Sequence, residues 1–186
     1  MKSIGTKKIE TKRLILRKIH TDDAKQVYDN WTSDPLVARY VNWSTHTSIE
    51  DTKEYLKFKS DRYKGNEFCF DWLVTLKDTG EAIGEIEACK VSQLHSLVEM
   101  GYCFGRKYWN QGYASEALAA FIDYMFNEVE ADIVTACHLS TNPASGKAME
   151  KAGMKFDASL KNYFIDKNTG LRADMVCYSI LKSSVE

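Results

Sequence analysis

Apolar residues along this chain change their spacing several times, and the changes mark out its elements. Leu14-Ile15-Leu16-Arg17 is a short strand, and Thr21-Asp22-Asp23 suits the start of a helix running through Trp31, before Pro35 breaks the chain. Thr47 and Glu50 stand in capping-box register, so a second helix is expected from there to Tyr63, with Gly65 to stop it. From Phe68 the character turns to β. Phe68 to Thr75 and Glu81 to Lys90, joined by Lys77-Asp78-Thr79-Gly80, read as a hairpin, and a further strand runs from Leu97 to Phe104. The strongest helical signal follows, with Ala114, Ala117, Leu118, Phe121, Ile122 and Met125 at core-facing spacing as far as about Asn127. Ile133 to His138 is a strand, and Asn142-Pro143 is an N-cap and N1 pair for a helix ending at Ala152-Gly153. Leu160 to Ile165 and Asp174 to Leu181 form a last hairpin around Asp166-Lys167-Asn168-Thr169-Gly170. The order is β, two helices, three strands, helix, strand, helix, two strands, which is one mixed α/β layer structure without repeat or linker.

Composition narrows this picture. At 186 residues with 44% apolar content the chain fits a single domain, 1–186, with an ample core. A net charge of -1 gives no reason to expect nucleic acid or membrane as the main partner. The charge is uneven, however: Lys2, Lys7, Lys8, Lys12, Arg13, Arg17 and Lys18 crowd the N-terminal segment, whereas the middle section from Asp78 to Asp132 is acidic. That section would welcome a cationic substrate, although a solvated charged surface is the commoner explanation. Cys69, Cys89, Cys103, Cys137 and Cys177 are odd in number and widely spaced, and each sits among strand-like residues, so they read as buried reduced thiols. No Cys-x-x-Cys pair suggests zinc, and the four histidines lack the spacing of a helical metal site, so no metal is expected. No signal peptide or long apolar run appears at the N-terminus, which points to the cytoplasm.

Candidate chemistry gathers where the glycine-bearing loop Tyr108-Trp109-Asn110-Gln111-Gly112 runs into the helix at Tyr113-Ala114-Ser115-Glu116-Ala117. The first amides of a helix lack intrahelical partners and carry the positive end of the dipole, so an anion can sit there if small residues let it approach. Gly112, Ala114 and Ser115 supply that smallness. The Walker and dinucleotide patterns do not occur. A plain strand-loop-helix connection is the competing reading, because Glu116 in the first turn complements the dipole itself and would repel an anion it faced.

The run Glu99-Met100-Gly101-Tyr102 followed by Tyr108 through Ala117 resembles the acetyl-CoA site of the GNAT N-acetyltransferase superfamily, more narrowly the branch with ribosomal-protein alanine and serine N-acetyltransferases. The block Asn142-Pro143-Ala144-Ser145-Gly146-Lys147-Ala148-Met149-Glu150-Lys151-Ala152-Gly153-Met154 matches that branch's following helix, and Thr11-Lys12-Arg13-Leu14-Ile15-Leu16-Arg17 is also typical of it. The resemblance covers nearly the whole chain. It implies an α+β, single-domain GNAT-like (acyl-CoA N-acyltransferase) fold, a mixed, mostly antiparallel central sheet flanked by about four helices. It departs from the pattern at Trp109, in place of a polar residue, and at Asn110, where a further glycine is frequent.

The resemblance further implies that amides from Gln111 through Gly112, Tyr113 and Ala114 to Ser115 hold the pyrophosphate of coenzyme A. The strand ending at Cys103-Phe104 would bond the pantetheine arm and present the thioester, with Asn142 and Ser145 beside the arm and its sulfur. Asn142 as a bare helix cap, and Tyr102 and Trp109 as core aromatics, are the competing readings. An attacking amine, with pKa near ~8 for an α-amino group or ~10.4 for lysine, must lose a proton. Glu99 is the implied base and Glu87 the second choice. A backbone amide near Phe104 would polarise the thioester carbonyl. The leaving thiolate, its thiol titrating near ~8.5, needs only a hydrogen-bond donor. Many superfamily members place a tyrosine where this chain has Met149, so Ser145 is the replacement, and acyl transfer is direct, with Cys103 no nucleophile.

An N-acetyltransferase acting on a primary amine in a ternary complex is therefore expected, with a catalytically reduced acyl-CoA-binding sensor or interaction module as the alternative. The acceptor could be a ribosomal-protein or other protein N-terminus, or a small cationic amine. Its surface would come from about Asp34 to Gly65 and the final hairpin, and Glu85, Glu87 and Glu99 converging on a cleft would favour a cation. The protein is expected as a monomer, or as a homodimer paired through the final hairpin.

Overall fold

The computed structural model describes residues 1–167 and 169–184. Among these, eight strands form one sheet in the order β1-β2-β3-β4-β5-β6-β8-β7. They are Ile9–Glu10 (β1), Leu14–Arg17 (β2), Asp71–Leu76 (β3), Ala82–Ser92 (β4), Leu97–Phe104 (β5), Ile133–Leu139 (β6), Lys155–Ile165 (β7) and Arg172–Leu181 (β8). All neighbours pair antiparallel except β5 and β6, which run parallel. The helices are Ala24–Val27 (α1), Pro35–Ala38 (α2), Ile49–Asp61 (α3), Tyr113–Asn127 (α4) and Pro143–Lys151 (α5), five rather than about four.

Side chains alternate across a strand, so each face of the sheet acquires its own core. Trp72 and Val74 of β3 face α4, where Trp72 meets Phe121 and Tyr124 at ring distances of 5.6 and 5.3 Å. Leu73, between them, faces the opposite core with Val27, Trp31 and Leu56, under α1 and α3. Cys103 of β5 joins this second core, while Met100 and Phe104 belong to the first.

The parting of β5 and β6 positions the site. Their pairing covers only Leu97↔Ile133, Val98↔Val134 and Glu99↔Thr135. Beyond Glu99 each strand turns its inner edge to an open gap. The register between β4 and β5 shifts at the same level, between Ala88 and Lys90, and such a bulge bends the strand pair.

Several sequence expectations are corrected. The first long helix breaks up: three residues of 3-10 helix, Thr21–Asp23, lead into α1, and the chain then widens into a π-helical turn over Tyr28–Thr32. The capping box lies one residue later, where Ser48 accepts from the Asp51 amide and Asp51 accepts from the Ser48 amide, because Asp51 also collects the amide and hydroxyl of Thr47. The cysteines are not all buried. Cys69 and Cys103 are, but Cys89 and Cys137 are exposed, both lining the open gap between the strands, and Cys177, its sulfur 2.8 Å from that of Cys137, is half-buried. Of the expected last turn, Asn168 lies outside the described residues. The N-terminal cations meet acidic groups of the middle section within the molecule, Lys2 with Glu130 at 2.7 Å and Arg13 with Glu116 at 2.6 Å.

Candidate active site

The loop before α4 reaches its helix through two left-handed residues. Asn110 has φ 60° and Gly112, the N-cap, φ 79°. Asparagine is one of the few L-residues that visits this region readily, so Asn110 keeps the backbone path of a glycine. Gly112 offers no capping side chain, which leaves the first amides of α4 without one. Trp109 is not a core residue: it is 37% exposed, and its Nε1 donates to the Phe104 carbonyl at 2.7 Å. Gln111 turns its side chain to the Lys107 carbonyl.

Glu116 does not oppose an anion here, because the N-terminal segment holds it. Its carboxylate accepts from Thr11 Oγ1 at 2.6 Å, from the Arg13 amide at 2.8 Å and from Arg13 Nε at 2.6 Å. Burial works against ionisation of Glu116, but those bonds outweigh it and hold the carboxyl below its ordinary value. Arg13 also donates to the Gln111 carbonyl and stacks over Tyr113 at 4.4 Å. The early Thr11-Lys12-Arg13 segment thus locks the loop and the helix start together.

A cavity of about 510 Å³ follows the gap between β5 and β6 and reaches both faces of the sheet. Of the residues expected from sequence at the cofactor, Cys103, Phe104, Gly112, Ala114, Ser115, Asn142 and Ser145 line it. Gln111 and Tyr113 are not among its walls. Asn142 makes no side-chain cap to α5, although Pro143 follows it at N1, so the bare-cap reading does not describe it. Gly146 of α5 permits a close approach, since a Cβ there would come within 2.7 Å of His138 Nε2 and 2.9 Å of the Tyr178 hydroxyl.

Tyr102 is more than the core aromatic its sequence context suggests. It lines the cavity, and its hydroxyl lies 2.7 Å from Ser145 Oγ and donates to the Ser145 carbonyl at 2.9 Å. Burial pushes this phenol up to about 12, against the Ser145 hydrogen bond. Met149, in the position where a tyrosine is common, is buried in the α4 core. The hydroxyl comes from the strand instead of the helix. The signal lay in the period-two alternation of β5, which places Tyr102 on the same side as Met100 and Phe104.

The carboxylates expected to converge do so in part. Glu85 and Glu87 line the cavity; Glu99 is not among its walls and lies beside Lys90, where β5 and β6 are still paired. Glu87 is bound by Lys59 at 2.5 Å and Arg62 at 3.1 Å, and Arg62 also reaches Asp71 at 3.0 Å. Glu85 Oε1 accepts from Tyr55 at 2.6 Å and Oε2 is buried with no hydrogen-bond partner. Burial and Glu85 together hold the Cys103 thiol well above its ordinary value, so it stays protonated. Burial raises Asp71 to about 6, with Lys59 opposing.

A helix N-terminus without a side-chain cap opens onto a gap between parallel strands that crosses the sheet. The chain belongs to the GNAT family: an acetyltransferase (GNAT) domain matches residues 13–155. It is 30% identical over 175 residues to an uncharacterized N-acetyltransferase, p20, of Bacillus licheniformis, covering 92% of this chain and 94% of the relative. The crystal structure of a GNAT-family acetyltransferase from Bacillus anthracis superposes with TM-score 0.83 at 29% identity, covering 95% of this chain and 99% of that one. The ribosomal-protein-S5-alanine acetyltransferase of Vibrio fischeri shares the fold, with TM-score 0.81 at 19% identity over 97% and 99% of the two chains. The protein is accordingly an acetyltransferase.

Proposed function

We propose that the protein transfers acetyl from acetyl-CoA to a primary amine by direct attack within a ternary complex. The observation that carries the reading is the gap itself. Past Glu99, alternate backbone groups of β5 face a space with no strand in it, and a peptide-like arm can satisfy them. That space begins beside the uncapped amides of α4, where Gly112, Ala114 and Ser115 leave room for a pyrophosphate. Amides of residues 111–115 therefore hold the phosphates, Cys103 and Phe104 flank the thioester, and Asn142 and Ser145 flank the arm from α5. When bound, acetyl-CoA supplies the activated acyl group.

The chain's own residues do the rest. An amine entering from the α3 side meets Glu85, the cavity carboxylate that no cation binds directly, and Glu85 receives its proton directly or through water. This assignment replaces Glu99, which the fold keeps off the cavity wall, and Glu87, whose Oε2 is held by both Lys59 and Arg62. As the N–C bond forms and the C–S bond breaks, the thiolate needs a donor on the α5 side. Ser145 Oγ supplies it once the Tyr102 hydroxyl, within reach of both the Ser145 carbonyl and Oγ, turns its proton to Oγ. A phenol raised to about 12 serves as a hydrogen-bond donor and not as a strong acid, which a thiolate of ordinary pKa does not require. Isothermal titration with acetyl-CoA, followed by thiol release in the presence of an amine panel, tests the reading; absence of acetyl-CoA binding sinks it.

A further inference from the structure

Resting on that reading, we propose that the acceptor is a small primary amine on an aromatic or apolar body, with no carboxylate beside the nitrogen, seated with its ammonium group at Glu85 and its body against Trp43 and Tyr40. Asp71 and Glu85, both buried, and the half-buried Glu87 form a group of three carboxylates served by two cations, Lys59 and Arg62. Glu87 takes both cations and Asp71 shares Arg62, while among the described residues Glu85 has only the neutral Tyr55 hydroxyl and the Cys103 thiol as hydrogen-bond partners. Lys59 adds attraction to Glu85 from a distance, but the group keeps one negative charge in excess. Burial lowers the pKa of nearby His46, with Asp51 opposing, so that ring is neutral at pH 7 and does not cancel the excess. Glu85 is 4% exposed and on the cavity wall, where an unbalanced charge is costly and a cationic ligand relieves it.

The surroundings choose the body. Trp43, His46 and Tyr55 form a ring cluster with centroids 5.6 to 6.5 Å apart, and Trp43 and Tyr40 line the cavity. Aromatic faces beside a carboxylate suit an ammonium group joined to an apolar or aromatic frame. Among the described residues, those of 37–43 that line the cavity carry no basic side chain, and the lining lysines, Lys147 and Lys151, sit on α5; the nearest further cation is Lys167, which donates to the Trp43 backbone carbonyl and is not on the cavity wall. A carboxylate next to the amine would find no partner at Glu85. The cavity of about 510 Å³ has to take the pantetheine end as well as the acceptor's amine and body.

The test offers wild-type protein and acetyl-CoA four acceptors: 2-phenylethylamine, L-phenylalanine, spermidine and a short peptide with an apolar N-terminus. We expect kcat/KM for 2-phenylethylamine at least tenfold above the other three. Benzyltrimethylammonium, which cannot be acetylated, should bind the CoA complex in calorimetry, and Glu85→Gln should weaken it at least tenfold with the acetyl-CoA Kd unchanged. Preference for phenylalanine, spermidine or the peptide overturns the proposal, as does equal binding of the quaternary cation by wild type and Glu85→Gln. Should Glu85→Gln not fold, Trp43→Ala decides, its expected loss being the advantage of 2-phenylethylamine over methylamine. Acetyl-CoA binding with no amine consumed refutes the enzymatic reading, while cation binding still reports on this subsite.

Discussion

The two sides of the cleft are built differently. On the side proposed for acetyl-CoA, here the donor side, a fifteen-residue helix, α4, and the nine-residue α5 flank an eight-residue strand, β5, and the groups offered are mainly backbone amides. On the side proposed for the amine, here the acceptor side, stand two four-residue helices, a π-helical turn and the segment leading to α3, and the groups offered are side chains: Glu85, Tyr40, Trp43. Backbone can bind phosphate and amide whatever the neighbouring side chains are, so the donor side needs only small residues and a fixed path. Selection of an acceptor depends on side-chain identity, and irregular short elements allow those identities to vary without disturbing the sheet.

Substitutions can break this contrast in graded ways. Gly112→Val should be the most damaging, because it places a β-branched residue at φ 79° and a Cβ 3.4 Å from the Arg13 guanidinium. Calorimetry should show acetyl-CoA affinity reduced by about 100-fold or more, the loop strain alone costing roughly 1–2 kcal/mol. Unchanged affinity would mean that phosphate is bound elsewhere. Ser145→Ala and Tyr102→Phe should each lower kcat by about tenfold, in line with one hydrogen bond to a charged group, with acetyl-CoA binding largely kept. The double variant should lose little more than either, since the two hydroxyls act in series; a fully additive loss would separate their roles.

Arg13→Ala tests the lock on Glu116. Freed from its partner, the carboxylate should weaken acetyl-CoA binding by about fivefold, of the order of a charge near a helix terminus, and Glu116→Gln in the same chain should restore most of it. Failure of that rescue would make Arg13 a direct phosphate ligand. The smallest effect concerns stability on the acceptor side. Burial raises Asp71 to about 6, whereas an unfolded aspartate titrates near ~3.9. The folded state thus holds this proton more tightly, so the contribution is fully present below pH ~4 and fades as pH rises through 6. Wild-type Tm minus Asp71→Asn Tm should therefore fall by roughly 5 °C between pH 4 and 7. A difference that grows with pH would show Asp71 acting as an ordinary ion-pair partner of Arg62.

The same contrast explains what the sequence disclosed. α4, β5 and the α5 boundary follow periodicity and punctuation, Gly112 before one helix and Asn142-Pro143 before the other, so local rules suffice. The family blocks fall on these elements. Tyr102 was passed over because one residue cannot show which hydroxyl on another element it meets. Glu99 and Glu85 could not be told apart as bases, since only the point at which β5 leaves β6 decides which carboxylate reaches the cavity. The helix from Thr21 broke up for a similar reason: Thr32 bonds Thr52 of α3 and the Val27 carbonyl, tertiary and wide-turn contacts that helical spacing does not encode.

The central claim is that one cleft holds acetyl-CoA on its α4 side and passes the acyl group directly to an amine arriving from its α3 side. Intact-mass measurement during turnover addresses it most directly. With acetyl-CoA alone the 21.2 kDa chain should remain unmodified and release no thiol, and adding 2-phenylethylamine should yield one acetylated amine per free thiol. An acetylated protein formed without amine, or thiol release independent of amine, would contradict it.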